Sequence, residues 1–215
     1  MGSAYAEYLS APASEITAKP ASIDHIHAAA VPLAALTAWQ ALFEYAHLEA
    51  GQRILVQGAA GGVGHLAVQI AKAHGAHVIG TASARNSEYL REIGVDEVID
   101  YHAERYEDVL RDVDVVFETV SGANAERGLQ TLKASGVLVS CAGLPADEIL
   151  AQYEVRTERF LVRPEAGQLA EIAKLIDAGK VKPNVDAAFP LAEAGKAHAK
   201  GEEGRTRGKI VLRVV

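Results

Sequence analysis

The sequence contains a single cysteine, Cys141, in 215 residues. That excludes an internal disulfide and any zinc site built on several thiolates. Positive charge is also in short supply: 21 Lys and Arg stand against 28 Asp and Glu, a net charge of −7. A nucleic-acid surface needs a basic stripe, so nucleic acid is not an expected partner. Long apolar runs are missing. The stretch from Ala28 to Phe43 is interrupted by Pro32, Thr37 and Gln40 and is too short to cross a bilayer, so no membrane association is expected. The first residues show no basic segment followed by an apolar run, so no leader is expected. Together with the lone cysteine, these absences lead us to expect a cytoplasmic protein.

What is present is an alternation of β-prone and helical segments. Pro32 can open a helix, and Leu33, Leu36, Trp39, Leu42 and Phe43 follow at helical spacing. Arg53-Ile-Leu-Val-Gln57, His77-Val-Ile-Gly-Thr81, Glu97-Val-Ile-Asp100, Val113 to Thr119, Gly136 to Cys141 and Arg159-Phe-Leu-Val162 read as successive strands. Helices are predicted between them, over 64–75, 87–93, 104–110 and 125–132, and again over 168–178. Such alternation predicts an α/β fold with a doubly wound parallel Rossmann sheet. The two ends lie outside this pattern. Ala4 to Ser10 reads as an edge strand, and Lys209 to Val215 is strongly β-prone. The expected division is residues 1–22 as a small β remnant, 23–180 as the Rossmann domain, and 181–215 as a segment returning to that remnant.

The central motif is Gly58-Ala-Ala-Gly-Gly-Val-Gly64, set between a strand and a helix. A phosphate can rest on the free N–H groups at such a helix start, where the helix dipole favours its charge. Read as A-x-G-x-x-G, the loop assigns Ala59, Gly61, Gly62, Val63 and Gly64 to cofactor binding, with alanine in place of the usual first glycine. A plain tight turn is the competing reading. A P-loop is excluded because His65 and Leu66 follow Gly64 where Lys and Ser or Thr would be needed. The short-chain dehydrogenase pattern lacks its Tyr-x-x-x-Lys, since none of the seven tyrosines has lysine four positions on. The second strand selects the cofactor. An NAD site places Asp or Glu about 20 residues past the loop, yet no acidic residue occurs from His65 to Ser87. Ser83 and Arg85 stand there instead, a hydroxyl and a planar cation suited to a 2′-phosphate, which favours NADP(H).

Four segments in order, Pro32 to Leu42, Gly58 to Gly64, Val98-Ile-Asp-Tyr101 and Gly208-Lys-Ile-Val-Leu212, resemble the zinc-independent quinone oxidoreductase branch of the medium-chain dehydrogenase/reductase superfamily. The resemblance covers nearly the whole chain, apart from most of the GroES-like domain that precedes the Rossmann part in that family. It implies hydride transfer from NADPH to a quinone, enone or related activated alkene or carbonyl. It also implies that Thr37 lies near the nicotinamide ribose and Tyr101 near the adenosine 2′-phosphate. Thr119 and Val120 would flank the nicotinamide, and the backbone of Ala142, Gly143 and Leu144 would meet its carboxamide. A homodimer is implied as well, and open edge strands give a separate reason to expect one. No residue stands out as a catalytic acid, and no metal site is expected: His25 and His27 are poorly spaced for chelation. Cys141, inside an apolar strand, reads as an inert thiol. The alternative is an NADP(H)-binding module or dimerising scaffold without turnover.

Overall fold

Strands buried on both faces are rich in apolar residues, and Ile54 to Val56 and Val115 to Phe117 are runs of that kind. The computed structural model describes residues 4–120 and 122–214. Its strands are β1 (Arg53–Val56), β2 (His77–Ala82), β3 (Glu97–Asp100), β4 (Val113–Glu118), β5 (Leu132–Ser140), β6 (Arg156–Arg159), β7 (Val185–Pro190) and β8 (Lys209–Arg213). The first six form one parallel sheet in the order β3-β2-β1-β4-β5-β6. The chain thus leaves β1 toward one edge, returns, and continues from β4 toward the other. This reversal opens a crevice beyond the carboxyl ends of β1 and β4, the place where such sheets bind ligands.

The helices are α1 (His25–Ala29), α2 (Pro32–Trp39), α3 (Gly64–Ala73), α4 (Ser87–Glu92), α5 (Tyr106–Val109), α6 (Asn124–Leu129), α7 (Asp147–Leu150), α8 (Ala166–Asp177) and α9 (Ala194–Glu202). Pro32 occupies the first turn of α2, where its missing N–H costs nothing, and α2 continues as a π-turn over Gln40–Tyr45. One face of the sheet packs Leu36, Leu42, Leu66, Ile70 and Ile172 from α2, the π-turn, α3 and α8. The opposite face packs Leu55, Tyr106, Val116, Leu129 and Leu138. No helix among the described residues is long and apolar enough to cross a membrane.

Two expectations about the ends need correction. A small second sheet exists, but it joins β8 to β7 in parallel rather than joining the two chain ends. Residues 4–10 form no strand and are exposed along their length. The physical reason lies in what each segment can bury. β7 alternates half-buried and exposed positions, so Val185, Ala187 and Phe189 present one face to the body. The segment from Ala4 has only Tyr5, Tyr8 and Leu9 to offer, and all three stay exposed. Met1 to Ser3 and Val215 of the expected end segments lie outside the described residues.

The C-terminal unit is anchored on α3 through two polar side chains one turn apart. His65 is fully buried, its Nδ1 2.8 Å from the carbonyl of Gly61 while the Asn184 N–H donates to Nε2 at 3.1 Å. Gln69 exchanges two hydrogen bonds with the backbone of Lys182, at 3.0 and 2.8 Å. Burial, with a smaller contribution from the Lys209 charge, pulls the His65 pKa down from 6.5 to about 4, against the opposing bond to Gly61. The unfolded chain protonates this imidazole near pH 6.5 and the folded chain only near pH 4. Between those values the unfolded state holds more protons, so stability present above pH 6.5 drains away as pH falls toward 4, by about 3 kcal/mol in all. Urea unfolding at pH 7 and at pH 4.5 checks this: the acid sample has the lower midpoint, and a His65→Leu variant shows a smaller difference between the two.

Candidate functional site

A cavity of about 550 Å³ opens beyond β1 and β4, lined by the glycine loop, the ends of β2 and β4, and residues 204–206. Its geometry begins with Gly58. This residue has φ of +69°, and a Cβ there would lie 2.7 Å from Val120 Cγ2 and 2.9 Å from Thr119 Oγ1. Only glycine allows the turn and the closeness at once. Thr119 Oγ1 donates to the carbonyl of Gln57 at 2.7 Å, and the Gly58 N–H donates to Thr81 Oγ1 at 3.3 Å. The loop is thus pinned to the strands on either side of β1. Gly64 brings the start of α3 against the turn: a Cβ there would sit 2.2 Å from the carbonyl oxygen of Gly58. Ala59 is fully buried, with its methyl over Gly80 of β2, where a second Cβ would come within 2.9 Å. The alanine that replaces the usual glycine therefore fills space against the sheet and takes no part in the cavity wall.

Of the residues singled out in the sequence, Gly61, Gly62, Val63, Ser83, Arg85, Tyr101, Thr119 and Val120 line the cavity. Six others do not. Gly64 and Ala59 shape the turn from behind. Thr37 is buried in α2, its hydroxyl donating to the Leu33 carbonyl at 2.7 Å. Ala142 and Gly143 donate their N–H groups to Ser140 Oγ at 3.1 and 2.9 Å, and Leu144 packs on the far face of the sheet. The same Ser140 hydroxyl donates to the fully buried Glu118 at 2.8 Å, and Glu118 accepts the Val120 N–H at 2.5 Å. One carboxylate thereby organises the segments that follow both β4 and β5.

Sequence reasoning missed the wall made by Gly204, Arg205 and Thr206, as well as Asn86 and Asn124. The mixed charges of 202–207 read as a solvated loop, but long-range bonds draw it onto the site. Arg85 Nη2 donates to the Arg205 carbonyl at 3.0 Å, and Arg207 Nε donates to Asn86 Oδ1 at 3.1 Å. Arg207 also stacks 5.0 Å from the ring centre of Tyr89, whose hydroxyl burial pushes up to about 12. Thr206 Oγ1 is buried without a hydrogen-bond partner.

Lys209 lies beside Gly62: a Cβ on that glycine would be 3.0 Å from Lys209 Cδ and 3.5 Å from Nζ. The ammonium pairs with no carboxylate among the described residues, and burial lowers its pKa. The cavity lining contains no Asp, Glu or His. In a chain of net charge −7, this corner is locally cationic and suited to an anion. Cys141 is half-buried, 3.8 Å from the carbonyl of Glu118, and burial together with the Glu118 charge pushes its thiol up to about 11. It is therefore a poor nucleophile.

The zinc-binding dehydrogenase family matches residues 93–212. Among the described residues no three His, Cys, Asp or Glu side chains come together in a way that could hold a metal ion. His27, for example, is taken by Asp24 at 2.7 Å. The chain is 33% identical over 240 residues to the mitochondrial NAD(P)H oxidoreductase RTN4IP1 of Mus musculus, spanning 97% of this chain and 61% of that protein. It is 33% identical to the chloroplast envelope quinone oxidoreductase homolog of Arabidopsis thaliana, spanning 98% and 69%. The quinone oxidoreductase of Coxiella burnetii superposes with a TM-score of 0.85 at 35% identity, over 92% of this chain and 63% of that one. The expectation of a cytoplasmic location is overturned by these relatives, which are named for the mitochondrion and the chloroplast. A lone cysteine reports only on redox conditions, and that signal does not separate one reducing compartment from another. The matched family, the extent of the similarity and the shared sheet together establish that this chain belongs to the zinc-binding dehydrogenase family within the medium-chain dehydrogenase/reductase superfamily.

Proposed function

We propose that the chain binds NADP(H) in the cavity over the glycine loop and forms the cofactor half of a quinone or enone reductase. The observation that carries this reading is the glycine-loop cavity, lined by Arg85 and Arg205 with no carboxylate in the lining, and with Lys209 packed against Gly62 beside it. The residues fit the cofactor on two further counts. The buried Thr206 hydroxyl is unpartnered at the wall, and Gly62 lets the Lys209 side chain pack directly against the loop, where a Cβ would come 3.0 Å from Lys209 Cδ. The pyrophosphate would rest on Gly61, Gly62 and Val63 at the start of α3, with Lys209 alongside. The 2′-phosphate would lie between Ser83, Arg85 and Tyr101, where Arg205 adds a second cation. Thr119 and Val120 would border the nicotinamide. The relatives named above act, by their names, as NAD(P)H or quinone oxidoreductases, and the chain spans about 61% of the first of them.

When bound, the nicotinamide supplies a hydride; the protein supplies position and electrostatics. The glycine loop and basic lip orient the cofactor, and Glu118 with Ser140 holds the two segments that would face its reactive end. No side chain of the cofactor cavity is a carboxylic acid or imidazole, so from this lining only a hydroxyl or water could hand over the proton that completes reduction. The substrate would be a small quinone or activated alkene. β6 closes the sheet with one side unpaired, and we propose a homodimer formed through that edge.

NADPH is expected to bind at least tenfold more tightly than NADH by fluorescence titration. Arg85→Ala should cost about 1–2 kcal/mol toward NADPH and little toward NADH, as for a charge-assisted bond at an exposed site. Equal losses for both cofactors would remove Arg85 from the phosphate site. Gly61→Val places branched atoms over the loop, where even a Cβ comes 3.1 Å from the Gly58 carbonyl. Binding should vanish while circular dichroism stays that of the folded chain; retained affinity places the phosphates elsewhere. Mixing the chain with NADPH and a simple quinone and following NADPH absorbance separates turnover from binding alone. Light scattering at micromolar concentration should give twice the chain mass, and a monomeric mass would rule out the β6 contact.

A further inference from the structure

We infer that His65 is a positioning residue that ties the glycine loop to the β7–β8 unit and thereby sets Lys209 against the phosphate site. The inference rests on the cofactor reading above, and its geometry is independent of it. The imidazole bridges two backbones: Nδ1 lies 2.8 Å from the Gly61 carbonyl, and Nε2 receives the Asn184 N–H at 3.1 Å. Only the neutral tautomer with its proton on Nδ1 satisfies both, since a proton on Nε2 would point one donor at another. Burial of the ring and its lowered pKa favour that neutral form.

Asn184 passes the constraint on. Its carbonyl accepts the Lys209 N–H at 2.9 Å, and its Nδ2 donates to the Arg207 carbonyl at 2.7 Å. Gly208 closes the circuit by donating to the Ala60 carbonyl at 2.9 Å. Gly208 has φ of +74°, and a Cβ there would fall 2.3 Å from the Asn184 carbonyl oxygen. The entry to β8 is therefore pressed against both Asn184 and the loop, and Lys209 is the next residue. Gln69, one turn further along α3, fixes Lys182 in the same way. Loop and C-terminal unit behave as one body, so whatever binds the loop also favours docking of β8, and the reverse holds equally.

The test uses the full chain with NADPH as the probe. Affinity is measured for the wild type, His65→Leu, Lys209→Met and the double variant, and amide exchange of residues 210–212 is followed without ligand. His65→Leu should raise the NADPH Kd about tenfold and speed exchange of those amides at least tenfold. Lys209→Met should cost about tenfold in the wild type and less than twofold in the His65→Leu background. A general loss of stability would leave the Lys209 factor unchanged, so additive losses overturn the inference. Unchanged exchange in His65→Leu also overturns it, whatever the cofactor does. Asn184→Ala removes the bond to Arg207 and gives a milder version of the same pattern should His65→Leu not fold. Absence of NADPH binding by the wild type would instead defeat the cofactor reading, and the exchange comparison would still decide whether His65 holds the C-terminal unit.

Discussion

The contact on which the site depends is the approach of Gly64 to the carbonyl of Gly58. It brings the first turn of α3 onto the end of β1 at a distance that no side chain permits. The unpaired N–H groups of that turn are thereby aimed into the crevice at the reversal of strand order. Everything else in the wall is placed relative to this turn. Thr81 and Thr119 hold it from the neighbouring strands, the Ala60 carbonyl docks Gly208 of the C-terminal segment, and the Gly61 carbonyl holds His65, which reaches Asn184. The loop is therefore both a binding surface and a structural hub, which explains why its backbone polar groups are shared between the cavity and the fold.

Electrostatics follows from the same arrangement. Acidic residues dominate the chain, yet they are spent elsewhere. Asp96 meets Lys72, Asp114 meets Lys133, Glu107 meets Arg127 and Glu44 meets Arg163. These pairs lie away from the crevice, whose lining holds Arg85 and Arg205 and no carboxylate. A net negative protein can thus attract an anion at one corner, because local neutralisation and not total charge sets the field inside a partly desolvated cleft.

Much of the fold was legible in the sequence for a definite reason. β1, β2 and β4 are buried along most of their length and carry short apolar runs, Ile54 to Val56, Val78-Ile79 and Val115 to Phe117. Legibility failed where burial was partial. β6 runs over Arg156–Arg159 and ends where the expected strand, Arg159 to Val162, begins, because an edge strand tolerates Arg-Thr-Glu-Arg and carries no apolar signal. β7 was not anticipated at all, since Val-Asp-Ala-Ala-Phe-Pro follows a proline and alternates only weakly. At the site, the glycine loop and the Ser83–Arg85 corner could be read from local chemistry. The wall at 204–206 could not, because a bond from the Arg85 guanidinium to the Arg205 carbonyl, across 120 residues, places it. Thr37 and the segment from Ala142 were tied to the cofactor by resemblance alone, and their polar groups are satisfied within their own elements.

The parallel pairing of β7 with β8 bears on the order in which the molecule assembles. Parallel strands require a crossover, here through α9, and contacts between residues far apart in sequence form slowly because the intervening chain must first be closed. His65 and Asn184 are separated by 119 residues. A ribosome extruding this chain releases the glycine loop, the sheet centre and most of the core long before the last wall exists. The nascent protein can therefore adopt its Rossmann body while its anion-binding corner is still a half-built shelf. Residues 204–206, made after the rest of the lining, complete the cavity.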